Sequence, residues 1–151
     1  MNLILEKTDQ VRWYTNMRDV LEAANIVAQD YDWYVSDIET NRRPPGFIPD
    51  DQWFSGDELA SFLHDHEIQF VWAVFSAVPR GFRSTPSFVP YVEDNPIYWN
   101  GSEPRPQLEG ALFEITCWDS SATILINLPA EAADAFMTRY KDTKPLATAR
   151  A

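Results

Sequence analysis

QFVWAVFSAV, residues 69–78, is the most informative stretch of this chain, because it is apolar on both sides of an extended backbone. Successive side chains of a strand point to opposite faces of a sheet. The two sets here are Phe70, Trp72 and Val74 on one face, and Val71, Ala73 and Phe75 on the other. Strands that are apolar on both faces lie in the middle of a covered sheet, so we predict a central strand at this position.

Segments on either side of this stretch predict the rest of the sheet. Residues 31–39 (YDWYVSDIE) are rich in the aromatic and β-branched side chains that favour strands. Residues 107–119 and 122–128 alternate between apolar and polar positions, which predicts an antiparallel hairpin across the short Ser-Ser link between them. Residues 2–6 form a further candidate for a short strand.

Three segments predict helices. Residues 9–28 repeat apolar side chains at spacings of three and four, and the first helix begins either near Thr8 or later, near Asn16. The sequence SGDE at residues 55–58 fits a capping box, in which Ser55 and Glu58 exchange side-chain-to-backbone hydrogen bonds at the start of a helix. The last helix is predicted to begin at residue 129, where proline suits the first turn.

The region at residues 79–106 holds six prolines and has no clear period. Because proline fixes φ and removes a backbone donor, we predict a long loop, with a short edge strand at residues 87–92 as one option. Long loops without secondary structure are uncommon in compact domains and are often functional. We call this region the proline-rich segment.

These patterns together predict a single α+β domain over residues 1–141. Its mostly antiparallel sheet would have four to five strands, with two or three helices packed chiefly on one face. The proline-rich segment would cover part of the other face. Residues 142–151 are predicted to form a frayed tail, since chain ends are ordered only where contacts tie them down.

The chain of 151 residues carries a net charge of −11, and its acidic residues are unevenly spread. Residues 30–67 hold ten acidic and two basic residues, a local net charge of −8. Such a surface repels phosphate, so we predict no nucleic-acid or membrane partner and favour a basic protein partner. The alternative interpretation is that the acidity only keeps the protein soluble.

The sequence lacks the signatures of export and of known catalytic sites. Residues 1–10 have neither a basic region nor a long apolar run, and the single cysteine cannot form an internal disulfide, so we expect a cytoplasmic protein. Cys117 falls among apolar side chains and is predicted to be an inert core thiol. His64 and His66 point in different directions on a helix, so both cannot easily reach one metal ion. Since the sequence also contains no known catalytic or cofactor motif, we predict no metal, no cofactor and no catalytic residue.

One pair of carboxylates is a candidate site. Asp37 and Glu39 are two positions apart on a strand, which places both on one face about 7 Å apart along the chain. Such a pair could perform acid–base chemistry or bind a cation. Alternatively, the strand runs out into solvent at this point, where polar residues are expected.

The proline-rich segment supplies most of the predicted partner-binding residues. An arginine beside an aromatic ring can recognise carboxylate or phosphate, and Tyr and Trp dominate protein interfaces. The predicted contact residues are Asp50, Asp51, Arg80, Arg83, Tyr91, Tyr98 and Trp99. In the alternative interpretation, these aromatic side chains fold back to cover the central strand.

We therefore predict a non-catalytic, acidic protein-binding module, most concretely an immunity or inhibitor protein for a basic toxin or enzyme. The first alternative is a small-molecule or hydrolytic site built from Asp37, Glu39, Arg80 and Arg83. The second alternative is a structural subunit that buries its exposed aromatic residues by self-association. The sequence leaves the oligomeric state open.

Overall fold

The computed structural model describes residues 1–150 as an α+β fold with three α-helices and a seven-stranded antiparallel sheet. The strands are β1 (Leu3–Glu6), β2 (Tyr31–Thr40), β3 (Gln52–Ser55), β4 (Phe70–Pro79), β5 (Phe113–Trp118), β6 (Ala122–Ile126) and β7 (Lys144–Pro145). The helices are α1 (Met17–Ala23), α2 (Gly56–Asp65) and α3 (Ala130–Arg139). The strand order across the open sheet is β3-β2-β4-β5-β6-β1-β7.

The central strand predicted from residues 69–78 is confirmed as β4, which pairs with β2 on one side and β5 on the other. Ala73 and Phe75 face the helices, whereas Val74 faces the opposite side. Phe70 departs from the predicted alternation and packs on the helix side. The cause is local, because the pairing of β2 with β4 shifts register twice near that end of the strand.

The helices α1, α2 and α3 pack together on one face of the sheet. Their buried side chains join those of the central strands in one apolar cluster, so the helix side holds the larger core. The principal members are Met17, Leu21, Trp33, Leu59, Leu63, Phe75, Phe113, Ile115, Ala133 and Phe136.

Residues 80–112, which we call the β4–β5 connection, run over the opposite face of the sheet. Within the described chain this connection contains one short 3₁₀ turn, Pro96–Tyr98, and no strand, so residues 87–92 do not form the optional edge strand. Val92 and Tyr98 of the connection pack against Val74, Ile124 and other apolar residues of the sheet. The central strands are therefore covered on both faces.

The capping box at the start of α2 is confirmed. Ser55 Oγ accepts a hydrogen bond from the Glu58 N–H at 3.0 Å, and the Ser55 N–H donates to Glu58 Oε1 at 2.8 Å. The first helix begins at the later of the two predicted positions, with Asn16 as its N-cap. Within residues 1–150, no helix has the length and apolar content needed to cross a membrane.

The prediction of four to five strands was too low. The structure adds β3, a short edge strand directly before α2, and β7, which pairs with β1. Both are too short for alternation to be visible in sequence, and their positions depend on a partner strand that is distant in the chain. The hairpin of β5 and β6 is confirmed, although β5 begins at residue 113 instead of 107.

The C-terminal residues differ from the frayed tail predicted from residue 142. Lys144–Pro145 pairs with β1, and Leu146 and Ala149 are buried against the face that the β4–β5 connection covers. Apolar burial of these two side chains ties the segment down, a contact that composition alone does not reveal. Ala151, the end of the predicted tail, lies outside the described residues.

Candidate functional site

An acidic cleft forms where β2 is interrupted by a β-bulge. The register with β4 shifts between Ser36 and Glu39, and Asp37 within the bulge has a φ of 54°. Bulges re-aim side chains, and Asp tolerates this left-handed backbone better than most residues. Asp37 and Glu39 consequently line one cleft of ≈ 370 Å³ together with Glu93 from the β4–β5 connection.

Asp37 fixes the backbone of the β4–β5 connection. Its Oδ2 accepts hydrogen bonds from the N–H groups of Val92 at 2.8 Å and Glu93 at 3.0 Å. The Asp37 N–H in turn donates to Oδ1 of Asp51 at 2.9 Å, which brings the segment before β3 to the same place. Asp37, a predicted site residue, therefore holds three parts of the chain together and brings their acidic residues close to one another.

The acidic surface consists of Asp37, Glu39, Asp51, Glu93, Asp94 and Asp119. Slight desolvation and the negative charges of Asp37, Asp94, Glu39 and Asp119 raise the pKa of Glu93 above its ordinary value. A carboxylate with a raised pKa for this reason lies in a negative potential, which attracts cations. Arg43 and the Trp72 ring line the same cleft, so its walls combine charge with an aromatic surface.

Replacing Asp37 tests whether its charge or its acceptor oxygen holds the connection in place. Asp37→Ala removes the acceptor of two N–H groups. It also leaves alanine at a positive φ, which Asp tolerates because its polar side chain can form local hydrogen bonds. We therefore expect a loss of about 2 kcal/mol in the free energy of unfolding. Asp37→Asn keeps an oxygen at the position that receives both donors and should cost less than about 0.5 kcal/mol. Urea denaturation measures both. Equal losses in the two variants would show that the charge of Asp37 holds the connection, whereas no loss in Asp37→Ala would contradict the anchoring role.

Arg83 forms interactions within the chain at the other end of β2. Its Nε lies 3.2 Å from Oδ2 of Asp32, its Nη2 lies 3.9 Å from Oε1 of Glu58, and its guanidinium stacks over Trp53 at 5.7 Å. Asp32 also accepts the Gly81 N–H at 3.1 Å. Burial raises the pKa of Asp32, but the Gly81 bond and the charges of Arg83 and Arg80 outweigh it and hold that pKa below its ordinary value.

Arg83→Gln should therefore lower stability in a pH-dependent way. A lowered pKa means that the stability contributed by Asp32 is present above about pH 3.9, the ordinary Asp value, and is lost as pH falls through the lower folded pKa. Because Arg83 is partly exposed, we expect a loss of about 1 kcal/mol at neutral pH, which vanishes once pH has fallen through the lower folded pKa of Asp32. Thermal unfolding as a function of pH measures this. Arg105→Gln, at an exposed arginine that does not act on the pKa of Asp32, is the control, and a pH-independent loss in Arg83→Gln would refute the assignment.

The two arginines do not join the acidic cleft. Arg80 and Arg83 lie next to Asp32, which is five residues before Asp37 in β2, a separation of about 16 Å along a strand. The structure therefore brings Asp37 and Glu39 together but leaves Arg80 and Arg83 elsewhere. Asp50 is exposed and precedes Asp51 in the chain.

The predicted contact aromatics divide into two groups. Tyr98 is buried, and Trp99 packs edge-on against Trp118 with ring centroids 5.0 Å apart. The hydroxyl of Tyr98 lies 3.3 Å from that of Thr116 and accepts a hydrogen bond from the Gln107 side chain at 2.7 Å. These two residues therefore cover the sheet. Tyr91, by contrast, is 40% exposed and is available at the surface.

Glu114 is an important residue that the sequence analysis missed. It is fully buried on β5, beneath the β4–β5 connection. Its oxygens accept hydrogen bonds from the Gln107 N–H at 2.6 Å, the Leu108 N–H at 3.0 Å and the Ser76 hydroxyl at 2.6 Å. Burial raises the pKa of Glu114, opposed by these three bonds. The feature of the sequence that could have pointed to Glu114 is Ser76, a polar residue inside the otherwise apolar strand β4. Ser76 pairs directly with Glu114.

The remaining sequence candidates stay outside the cleft. Cys117 is buried and contacts Met17, and burial raises the pKa of its thiol. Within residues 1–150, no group of three or more His, Cys, Asp or Glu residues is arranged to hold a metal ion.

Scans against protein-family models, curated proteins and solved structures found no match to this chain.

Proposed function

We propose that this protein is a non-catalytic binding module that captures a basic protein partner through its acidic surface. The observation that carries the proposal is the convergence of six carboxylates from β2, the segment before β3, the β4–β5 connection and the β5–β6 turn. Carboxylates that lie close together repel one another, so a bound cationic group that neutralises them relieves this repulsion and is attracted to the site.

The position of these carboxylates supports recognition by a protein rather than catalysis. Glu39, Asp51, Glu93, Asp94 and Asp119 are exposed, and Asp37 is committed to two backbone N–H groups. The partner's Lys and Arg side chains would meet this surface, and the net charge of −11 would steer their approach. Tyr91, two residues from Glu93, adds an exposed aromatic side chain of the kind found in interfaces.

The most concrete form of the proposal is an immunity or inhibitor protein that neutralises a basic toxin or enzyme in the cytoplasm. An inhibitor needs a rigid surface with complementary charge and no catalytic group of its own. Anchoring of the β4–β5 connection by Asp32, Asp37 and Glu114 supplies that rigidity. The proline-rich segment is then a fixed part of the binding surface.

The proposal is tested by capture from the source lysate on immobilised protein at low and at high salt. We expect one basic protein to be retained at low salt and released as salt rises, because the Debye length falls from about 10 Å at 0.1 M to about 3 Å at 1 M. Retention that is insensitive to salt, or retention of acidic proteins alone, would count against the proposal.

The small-molecule alternative retains one supporting observation, the cleft that Asp37, Glu39 and Glu93 line beside Trp72. A small organic cation suits these walls, because three carboxylates outnumber the single charge of Arg43 and Trp72 adds an aromatic side chain. Thermal shift against organic cations would distinguish the two proposals, since a pocket-binding cation stabilises the protein at low concentration without any protein partner.

A further inference from the structure

A pocket of ≈ 220 Å³ lies where the segments before α1, after β2 and before β4 meet, and it shares no lining residue with the acidic cleft. Hydrogen bonds join these three segments. The Asn41 N–H donates to the Gln69 carbonyl at 3.0 Å, and the Gln69 N–H donates to Asn41 Oδ1 at 2.9 Å. Gln69 Nε2 donates to the Tyr14 carbonyl at 3.0 Å. The walls are therefore fixed before a ligand binds, which lowers the ordering cost of binding.

A buried amide with an unused donor lines this pocket. Asn16 is 6% exposed, and its Oδ1 accepts the Asp19 N–H at 3.3 Å, which fixes the orientation of the amide. Within residues 1–150, Asn16 Nδ2 has no hydrogen-bond acceptor, although it is not sealed from solvent. Since the rest of the residue is buried, the accessible Nδ2 faces the pocket. Buried donors are nearly always paired, so this one favours an acceptor at that position.

The charges around the pocket are mostly positive. Arg12 and Arg42 line it, and within residues 1–150 neither is paired with a carboxylate. The only carboxylate among the lining residues, that of Glu67, lies 3.9 Å from Nη2 of Arg18. Three arginines therefore face one glutamate, which makes the pocket locally basic on a chain of net charge −11. Guanidinium donors of this kind form their strongest hydrogen bonds with anions.

The apolar part of the pocket consists of the Trp13 ring and Ile68. Trp13 is 48% exposed, and the Arg12 guanidinium lies 5.5 Å from its ring centroid, whereas Ile68 is buried. A flat hydrocarbon group can pack on these two side chains while a charged group attached to it meets the donors. The volume is below the range of about 300–1,000 Å³ that is usual for drug-sized ligands, so the ligand has to be small.

We propose that this pocket binds a free small-molecule carboxylate with an aromatic body, of about the size of benzoate. One carboxylate oxygen accepts from Asn16 Nδ2, and the guanidinium groups of Arg12 and Arg42 supply charge-assisted hydrogen bonds to the other. The ring packs against Trp13 and Ile68. An inorganic anion would satisfy the donors but leave the apolar wall unused. The pocket is separate from the acidic surface, so it binds its ligand whether or not a basic protein partner is present.

The test is a ¹⁵N NMR titration of the full chain with sodium benzoate at constant ionic strength. We expect shifts that saturate by about 10 mM benzoate, at the Asn16 side-chain amide and at the backbone amides of residues 12–16, 41–42 and 67–69. Arg42→Gln should weaken binding at least about fivefold, because a charge-assisted hydrogen bond is lost. Arg105→Gln is the matched control, since Arg105 is exposed and lies outside the pocket. Asn16 is left unchanged because its side chain caps α1.

Two further probes separate the charge from the ring. Benzamide keeps the ring without the charge, and inorganic phosphate keeps the charge without the ring, so each should bind at least about fivefold more weakly than benzoate. Equal affinity for benzamide would overturn the role of the arginines, and equal affinity for phosphate would overturn the aromatic body. Shifts that lie elsewhere, no saturation, or undiminished binding by Arg42→Gln would overturn the site itself.

A last probe identifies the source of the carboxylate. Acetyl-Gly-Gly-Phe with a free C-terminal carboxylate presents the same two groups on a peptide, and we expect it to bind more weakly than benzoate because its backbone exceeds the small volume of the pocket. Tighter binding of this peptide than of benzoate would show that the pocket recognises a chain end, which would overturn a free small molecule as the ligand.

Discussion

Glu114→Gln is expected to lower the free energy of unfolding by about 3 kcal/mol, the largest stability effect of any single polar substitution that we predict. In the wild-type protein, each carboxylate oxygen receives a backbone N–H, from Gln107 on one oxygen and from Leu108 on the other. A glutamine amide has one acceptor oxygen. Whichever way it is oriented, its NH₂ group faces one of these buried donors, and neither group then has a partner.

The effect should depend on pH in a direction set by the raised pKa of Glu114. A carboxyl whose folded pKa is raised contributes stability that is fully present below about pH 4.3, the ordinary Glu value, and is lost as pH rises through the folded pKa. The Gln variant has no such titration. The difference in stability between the two proteins should therefore narrow as pH rises from 4 to 8.

Urea denaturation at several pH values measures this difference. Glu109→Gln is the matched control, since it makes the same change at an exposed position of the same connection and should alter stability by less than about 0.5 kcal/mol. Ser76→Ala removes only one of the three donors to Glu114, and we expect a loss of about 1 kcal/mol. A Glu114→Gln variant as stable as wild type would show that the carboxylate does not hold the connection.

Reversing two charges on the acidic surface is the second large prediction. Glu39→Lys with Glu93→Lys should weaken binding of the captured basic partner at least about tenfold at low salt, mainly by slowing association. These positions suit the experiment because both side chains are exposed and neither backbone has the positive φ found at Asp37, Asp94 and Asp119. The variant should fold like the wild-type protein.

The control is Glu131→Lys with Asp134→Lys on α3. It changes the net charge by the same amount on exposed positions of the helix face. Surface plasmon resonance at increasing salt compares the two double variants. If both lose affinity equally, total charge rather than the acidic surface attracts the partner; if neither does, the surface is not the interface.

The central strand and the start of α2 could be predicted from sequence because their signals are local. A mainly apolar stretch of ten residues defines β4, and four residues define the capping box before α2. Strands β3 and β7 could not be predicted in this way, since Gln52–Ser55 and Lys144–Pro145 become strands only by pairing with distant segments. Local preference is a weak guide where a partner strand decides the outcome.

The candidate site was only partly predictable for the same reason. The spacing of Asp37 and Glu39 pointed to one shared surface, and they do line one cleft. The arrival of Glu93 and Asp51 beside them depends on a bulge in β2 and on hydrogen bonds to Asp37, which join residues far apart in the chain. The residue types of Tyr98 and Trp99 predict surface contacts, but both side chains pack onto the sheet in the folded chain.

Hydrogen–deuterium exchange of the protein with its captured basic partner shows whether the partner binds at the acidic surface. Partner binding should slow exchange at residues 37–39, 51–53 and 92–94, because these backbone segments carry the acidic surface, and should leave α1 and α3 unchanged. Protection confined to the helix face, or no protection anywhere in a complex that has formed, would contradict recognition through the acidic surface.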